Sequence, residues 1–442
     1  MARPKRVAIR GTLRKLFPAW RLREWAREQG AVERFRKVDP AALFWSVVLG
    51  FGSGRKRTLA GLRRAYEKAT RQRIEESSFY GRFNAGFVKL LRTAMERALQ
   101  EAVGIGRKLT GPLAAFRDLV VTDGTVVRLH DLLAKTYPGS RTNHSKAALK
   151  MHAVLSVTGA GNQSVKVTEG RRHDGPVFTV GPWIAGKLLL FDLGYFRYQL
   201  FASITRNLGY FVSRLKSHAN PTIVAVHRCW RGRSVPIVGQ KLQDVLGRLK
   251  REVLDVTVEV RFPRRRYGGR VHRDTQRLRV IGIRDPRSGA YHLYVTNVPP
   301  EKLAAEDVQA VYAARWEVEL LFKELKSHYR FEDMPSRKRE VVEALLYAAM
   351  ITLLCSRTLL ALLRQKEPEH ADRFASQRTA ALFAAIAGDL LSLLVRPPRE
   401  HARLETELTQ LLLYEALDPH CDRPSLLRAI ETRRHAYRTK AA

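Results

Sequence analysis

Val311-Tyr-Ala-Ala-Arg-Trp-Glu-Val-Glu-Leu-Leu-Phe-Lys-Glu-Leu-Lys326 is the stretch from which the rest of the chain can be read. It has no Gly, no Pro and a helical apolar rhythm. On a helix turning about 100° per residue, Tyr312, Arg315, Glu319 and Lys326 fall within a sector of about 60°. Ala314, Val318, Leu321, Phe322 and Leu325 take a separate sector about 100° wide, so the pattern predicts an amphipathic helix with one buried stripe. Its polar side sets a single carboxylate among a phenol, a guanidinium and an ammonium. Surface pairing at i,i+4 would produce the same set of residues. What distinguishes the two readings lies elsewhere in the chain.

Two aspartates sit where strands are expected. Leu119-Val-Val-Thr-Asp-Gly-Thr-Val-Val-Arg-Leu129 is rich in β-branched residues, and Asp123 interrupts it. A carboxylate there is costly unless it is paired, protonated or bound to a cation; an Asp-Gly turn is the alternative. Asp192 follows the apolar run Leu188-Leu-Leu-Phe191, at the strand end where open sheets place their ligands, or else it caps the next helix. Further strands are predicted at Met151–Val157, Ser164–Glu169 and Tyr210–Arg214, with a helix over Tyr195–Asn207. Strands followed by a helix and another strand predict an α/β fold, a mixed sheet packed by helices.

The 442 residues carry 79 Lys and Arg against 42 Asp and Glu, a formal net charge of +37. An excess of this size excludes an ordinary metabolic enzyme and implies a polyanionic partner, nucleic acid or an anionic membrane. The membrane is disfavoured: the longest apolar stretch, Ala344 to Leu363, is interrupted by Arg357 and reads as a buried helix. The basic N-terminus leads into no apolar segment. Cys229, Cys355 and Cys421 lie far apart without a metal-binding spacing, which fits a reducing cytoplasm.

The charge is unevenly spread. Residues 1–100 hold 24 Lys and Arg against 8 acids. They read as helical, with a helix pair at Thr58–Lys68 and Ser78–Leu99, the second capped by Ser77 or Ser78. Aromatic Phe79, Tyr80, Phe83 and Phe87 recur at helical spacing, which suits either a DNA-binding face or a small core. From Arg261 to Arg273 there are six arginines and no acid. Flanking strands at Val253–Phe262 and Leu278–Arg284 and a tip at Gly268-Gly269 predict an exposed basic ribbon that contacts phosphates through Arg264, Arg265 and Arg266.

With these pieces in order, the chain resembles the DDE transposases of the bacterial insertion-sequence-four family. The helix matches the signature Tyr-x2-Arg-x3-Glu-x6-Lys without a gap, through Tyr312, Arg315, Glu319 and Lys326. Val121-Thr-Asp-Gly-Thr125 and Phe191-Asp-Leu-Gly-Tyr-Phe196 are similar to that family's two aspartate motifs. The likeness spans about residues 75–365. It implies an RNase H-like mixed sheet flanked by helices and interrupted by a β-rich insertion, with helical N- and C-terminal regions. It implies cut-and-paste DNA transposition, with Asp123, Asp192 and Glu319 as catalytic ligands of two Mg²⁺ ions, for which Mn²⁺ can substitute. Tyr312, Arg315 and Lys326 would grip phosphate. Some members pass through a hairpin with a flipped base stacked on an aromatic residue of the insertion; Trp230, Tyr291 and His292 are the candidates here.

The expected organisation is a basic helical DNA-binding region (1–115), a first core segment (116–216), a β-rich basic insertion (217–290), a second core segment with the catalytic helix (291–365), and helical residues 366–442, which could support a dimer. Double-stranded DNA, at element ends and at the target, is the expected partner. A non-catalytic DNA-binding protein on the same scaffold, and a metal-dependent nuclease without strand transfer, are the competing readings. His144, His152 and His173 lack metal-ligand spacing, Lys150 and His152 could reach phosphate, Glu169 and Asp174 read as loop acids, and Trp316 reads as a packing residue.

Overall fold

The computed structural model describes residues 9–32, 38–53, 57–101, 108–140, 145–157, 164–230, 233–267, 270–397, 401–419 and 426–432. Eleven strands occur among them: β1 (Leu119–Arg128), β2 (Ala148–Ser156), β3 (Ser164–Glu169), β4 (Leu188–Phe191), β5 (Tyr210–Arg214), β6 (Thr222–Val226), β7 (Cys229–Trp230), β8 (Arg233–Ser234), β9 (Val253–Tyr267), β10 (Arg270–Arg284) and β11 (Tyr291–Thr296). Nine form one sheet in the order β3-β2-β1-β4-β5-β11-β10-β9-β6, and β7 pairs only with β8.

The first five strands carry the RNase H-like core. β1 is antiparallel to β2 and β2 to β3, whereas β1–β4 and β4–β5 are parallel. A parallel neighbour needs a crossover. Between β4 and β5 it is α8 (Tyr198–Arg206), whose Leu200, Phe201 and Ile204 are buried against the sheet. Two apolar clusters cover the faces of this sheet. Val121, Val127 and Leu190 belong to one, and Val120, Leu189 and Phe191 to the other, as strand alternation requires.

The arginine-rich segment departs from the sequence reading. The sequence reading ends the flanking strands at Phe262 and resumes them at Leu278, with the ribbon's tip at Gly268-Gly269. Instead β9 runs to Tyr267 and β10 starts at Arg270, with Arg270 opposite Tyr267. Pro263 is tolerated because the ladder shifts register between Val271 and Arg273, and because β6 pairs with β9 only as far as Glu259. The tip glycines lie outside the described residues. The ribbon is continuous with the core sheet through β11, which bonds to β5 and β10.

One arginine of β10 faces inward. Arg279 makes a two-pronged pair with Asp255 of β9, at 2.8 Å from Nε and 2.7 Å from Nη2, with both side chains almost wholly buried. Its Nη1 also donates to the Leu303 carbonyl at 2.7 Å. Removing one member of such a pair strands a buried charge. Asp255→Ala is expected to cost about 3–5 kcal/mol in urea unfolding; a loss under about 1 kcal/mol would show that water reaches the guanidinium.

The helical regions from both ends of the chain share one core. The helices are α1 (Ile9–Leu16), α2 (Ala19–Glu28), α3 (Pro40–Gly52), α4 (Leu59–Thr70), α5 (Glu76–Tyr80) and α6 (Ala85–Glu101) before the sheet. Within the sheet region lie α7 (Asp174–Val177), α8 and α9 (Leu242–Leu246). After it come α10 (Ala305–Ala313), α11 (Trp316–Ser327), α12 (Arg339–Lys366), α13 (Ser376–Val395), α14 (His401–Glu415) and α15 (Leu426–Glu431). α12 packs on α3 and α6, and α13 on α3. The approach of α3 to α12 is close: Thr352 Oγ1 donates to the Val48 carbonyl at 2.9 Å, and a Cβ at Gly52 would lie 3.1 Å from Thr352. Among the described residues α12 and α13 are long and apolar enough to cross a membrane, yet most of each apolar window is buried inside the protein.

The expected pair at Thr58–Lys68 and Ser78–Leu99 is interrupted. Thr58 caps α4 by accepting from the Gly61 amide at 3.1 Å. Ser77 and Ser78 lie inside α5, and Asn84 opens α6 instead, accepting from the Phe87 amide at 2.9 Å. The break at 81–84 turns Phe79, Phe83 and Phe87 inward as a run of ring contacts at 5.7 and 5.6 Å. All three rings are buried, so these aromatics are core.

Candidate active site

The register of β1 and β4 brings the two aspartates together. Val121 is paired with Leu190 in the parallel ladder. Two residues further along stand Asp123, within β1, and Asp192, the first residue past β4, on the face that carries Val121 and Leu190. α11 packs on β1 from that face, through Val318, Phe322 and Leu325 of the same apolar cluster. Asp123 is half-buried, and its Oδ1 accepts from the Gly124 amide at 2.8 Å. Asp192 stands at the head of a 3₁₀ turn, Leu193–Tyr195, but its side chain makes no capping bond. The carboxylate therefore does not serve the helix-capping role that the sequence also allowed.

The predicted single helix over Val311–Lys326 is two. α10 ends at Ala313 and α11 begins at Trp316, joined by a tight turn in which the Arg315 amide donates to the Tyr312 carbonyl at 3.0 Å. The break has a tertiary cause. Tyr312 is buried beside Tyr294 with its hydroxyl donating to the Phe191 carbonyl at 3.3 Å, which ties it to the strand end before Asp192. Arg315 Nη2 stands 2.6 Å from Glu319 Oε1. Tyr312, Arg315 and Glu319 thus gather at the aspartates. Lys326 does not: seven residues past Glu319, about 10 Å along the helix, it pairs with Glu332 at 2.9 Å.

The electrostatics mark the same spot. Burial pushes the Asp123 carboxyl up to about 6, and Asp192 and Glu319 add like charge, while the Gly124 amide and Arg315 pull the other way. The Arg315 guanidinium is held above its ordinary value by Tyr312, Glu319 and Asp192, against its own burial. Oxygen donors crowded so that ionisation is disfavoured are the set that a hard divalent cation favours. The residues present fit such an ion by their chemistry. Among the described residues no three His, Cys, Asp or Glu side chains converge as closely as they would on a bound metal, and Glu319 is turned onto Arg315.

The remaining predicted residues are dispersed. Arg264 is exposed on β9; the side chains of Arg265, Arg266 and Trp230 lie outside the described residues, as does His144. Tyr291 donates its hydroxyl to the Arg251 carbonyl and is half-buried, whereas His292 is exposed on β11. Trp316, read as a packing residue, is 55% exposed at the start of α11, with the Arg315 guanidinium 5.9 Å from its ring.

Sequence reasoning missed Asp174. It is no loop acid: Lys150 Nζ lies 2.7 Å from Oδ2 and His152 Nδ1 3.0 Å from Oδ1. These partners hold its carboxyl below the usual range despite burial. Lys150 and His152 therefore face Asp174 and not a phosphate. Their spacing of two on a strand was the available signal, because it puts both on one face.

The Transposase DDE domain family matches residues 114–355, more than half of the chain. A transposase for insertion sequence element IS231F of Bacillus thuringiensis subsp. israelensis is 22% identical over 367 residues, 76% of this chain and 77% of the relative. The transposase of IS231B from Bacillus thuringiensis subsp. berliner is 22% identical over 87% of this chain and 88% of its own length. Among solved structures, a piggyBac transposase in a synaptic complex with hairpin DNA aligns with 95% of this chain and 87% of its own, at a TM-score of 0.47 and 9% identity. With more than half of the chain matched by the family and relatives covered over most of their length, the chain belongs to the DDE-domain transposases of bacterial insertion sequences.

Proposed function

We propose that Asp123, Asp192 and Glu319 are the catalytic carboxylates of this DNA transposase and together hold two Mg²⁺ ions, with Mn²⁺ able to substitute. DDE transposase domains use divalent metal ions. The observation that carries the assignment is the parallel register of β1 and β4, which sets the two aspartates side by side beneath α11. Such ions, when bound, activate water or a DNA 3′-hydroxyl and stabilise the leaving oxygen. The protein's own groups position. Tyr312 fixes the end of β4, Arg315 offers a guanidinium to the phosphate beside the cut, and Gly124 holds Asp123 in orientation. Lys326 reaches phosphate further along the DNA.

DNA is the partner of the family, and we assign element ends and target DNA as the double-stranded substrates. Residues 1–115 and the ribbon within 217–290 would bind them, around the core segments 116–216 and 291–365. A homodimer on paired ends, with 366–442 as its contact region, completes the reading. Replacing Arg264, Arg265 and Arg266 together is expected to flatten the salt dependence of DNA affinity, by about 0.9 in log–log slope for each phosphate left without its arginine. An unchanged slope would remove the ribbon from the interface.

The direct test is cleavage of labelled DNA carrying the gene's flanking ends, with and without Mg²⁺. Metal-dependent nicking at the element boundary, followed by joining to a second duplex, is expected. Nicking without joining would favour a nuclease. Binding without any cutting, even with paired ends and Mn²⁺, would favour a DNA-binding scaffold.

A further inference from the structure

On the far side of the sheet from the catalytic carboxylates, one more acid lies over the glycines that follow both aspartates. Gly124 is paired with His152 and Val126 with Lys150, so His152 and Lys150 project from the face opposite Asp123. Asp174 occupies the space they frame. Its Oδ1 would lie 2.5 Å from a Cβ at Gly124, so the carboxylate rests directly on the strand beside Asp123. Its Oδ2 lies 3.6 Å from the corresponding point at Gly194, two residues past Asp192. Lys150 grips the carboxylate from β2 at 2.7 Å; His152 Nδ1 stands 3.0 Å from its other oxygen, and His152 Nε2 lies 2.9 Å from Thr168 of β3. The other anchor lies beyond β4. Arg197 Nη2 donates to the Gly175 carbonyl at 2.6 Å, so the segment bearing Asp174 is tied to the chain just past the second aspartate.

We propose that Asp174 is a positioning residue of the metal site, a clamp whose two oxygens bear on the segments after Asp123 and Asp192 and thereby set the separation of those carboxylates. The inference rests on the reading that Asp123 and Asp192 are metal ligands. Metal affinity depends steeply on donor separation, and partners that orient ligands are commonly worth about 10–100-fold in affinity. Asp174 touches neither metal nor DNA in this scheme. Gly124 is required for a matching reason: any side chain there would displace the carboxylate.

Mn²⁺ binding to the full-length protein, read by titration calorimetry without DNA, tests the clamp. Asp174→Asn keeps the shape and loses the charge that grips Lys150 and His152. It is expected to weaken Mn²⁺ binding about 10–100-fold while DNA affinity in metal-free buffer stays within a few-fold. Cleavage should recover at high Mn²⁺, because the lesion is in occupancy and not in the chemical step. Lys150→Met, which removes one grip on the carboxylate, should shift the Mn²⁺ curve in the same direction and carries the test if Asp174→Asn does not fold. Unchanged Mn²⁺ affinity in a folded variant, with binding abolished in Asp123→Asn, would overturn the clamp. Equal Mn²⁺ binding by wild type and Asp123→Asn would instead overturn the metal-site reading, and the clamp with it.

Discussion

Glu319→Gln is expected to abolish DNA cleavage, by on the order of a thousandfold or more, with the fold intact and DNA binding retained or tightened. A thousandfold corresponds to about 4 kcal/mol of transition-state stabilisation, within what a lost metal ligand removes. Gln keeps the size of the side chain and an oxygen that Arg315 can still approach, so the turn between α10 and α11 is preserved. What it lacks is the charge that would bind a cation. Affinity has its own logic here. Arg315 is engaged by Glu319 at 2.6 Å; neutralising that partner releases a guanidinium toward phosphate and removes a negative charge facing the DNA. Gel-shift titration in EDTA beside cleavage in Mg²⁺ separates the two effects. If binding falls along with cleavage, Glu319 is organising the DNA surface and is not a ligand.

Asp192→Ala separates the ligand role from a structural cap. The Asp192 side chain makes no capping bond, so its removal is expected to cost little stability while eliminating cutting. A fall of several degrees in Tm, with binding abolished as well, would restore the cap interpretation.

The readable parts of this molecule are those in which residue type and local period agree. β1 and β4 are apolar runs broken by a single acid, and their pairing follows once both strands are placed. The helix break at Ala314-Arg315 carries no local mark: there is no Gly or Pro, and the apolar stripe runs through it. Tyr312 at that break is tied to the Phe191 carbonyl, 121 residues away, a partner that the local pattern does not show. The ribbon misleads in the opposite sense. The apolar runs end at Phe262 and resume at Leu278, but ladder pairing carries the two strands past Pro263 to Tyr267 and back from Arg270. Phe79, Phe83 and Phe87 show the ambiguity of helical spacing, which is the same for a core stripe and for a DNA face. The spacing of Lys150 and His152 puts both on one face, but it does not name Asp174 as their partner, which reaches them from α7. Only the register places Lys150 and His152 on its side of the sheet.

α11 carries another glutamate, Glu324, whose chemistry is set chiefly by burial, and Glu324→Gln is expected to stabilise the protein above neutral pH while leaving cleavage in place. Glu324 is fully buried five residues past Glu319, with Arg357 of α12 at 2.7 Å from its Oε2. Burial pushes its carboxyl up to about 7, although Arg357 and the Ser356 hydroxyl pull it down. Because the folded value exceeds the ordinary 4.5, folding favours the neutral acid. That contribution is complete below about 4.5 and is lost as pH rises through about 7. Gln, neutral at every pH and of the same shape, does not lose it. The two proteins should therefore unfold alike at about pH 4, and at about pH 8 the variant should be more stable by about 3 kcal/mol. Urea unfolding at the two pH values measures the gap directly. A variant that is less stable at the higher pH would mean that the ionised pair with Arg357 outweighs the burial of the charge. The comparison with Glu319→Gln then assigns both residues: an identical substitution at two places on one helix removes activity in one case and strain in the other. The difference follows from which side of α11 faces the strands and which faces α12.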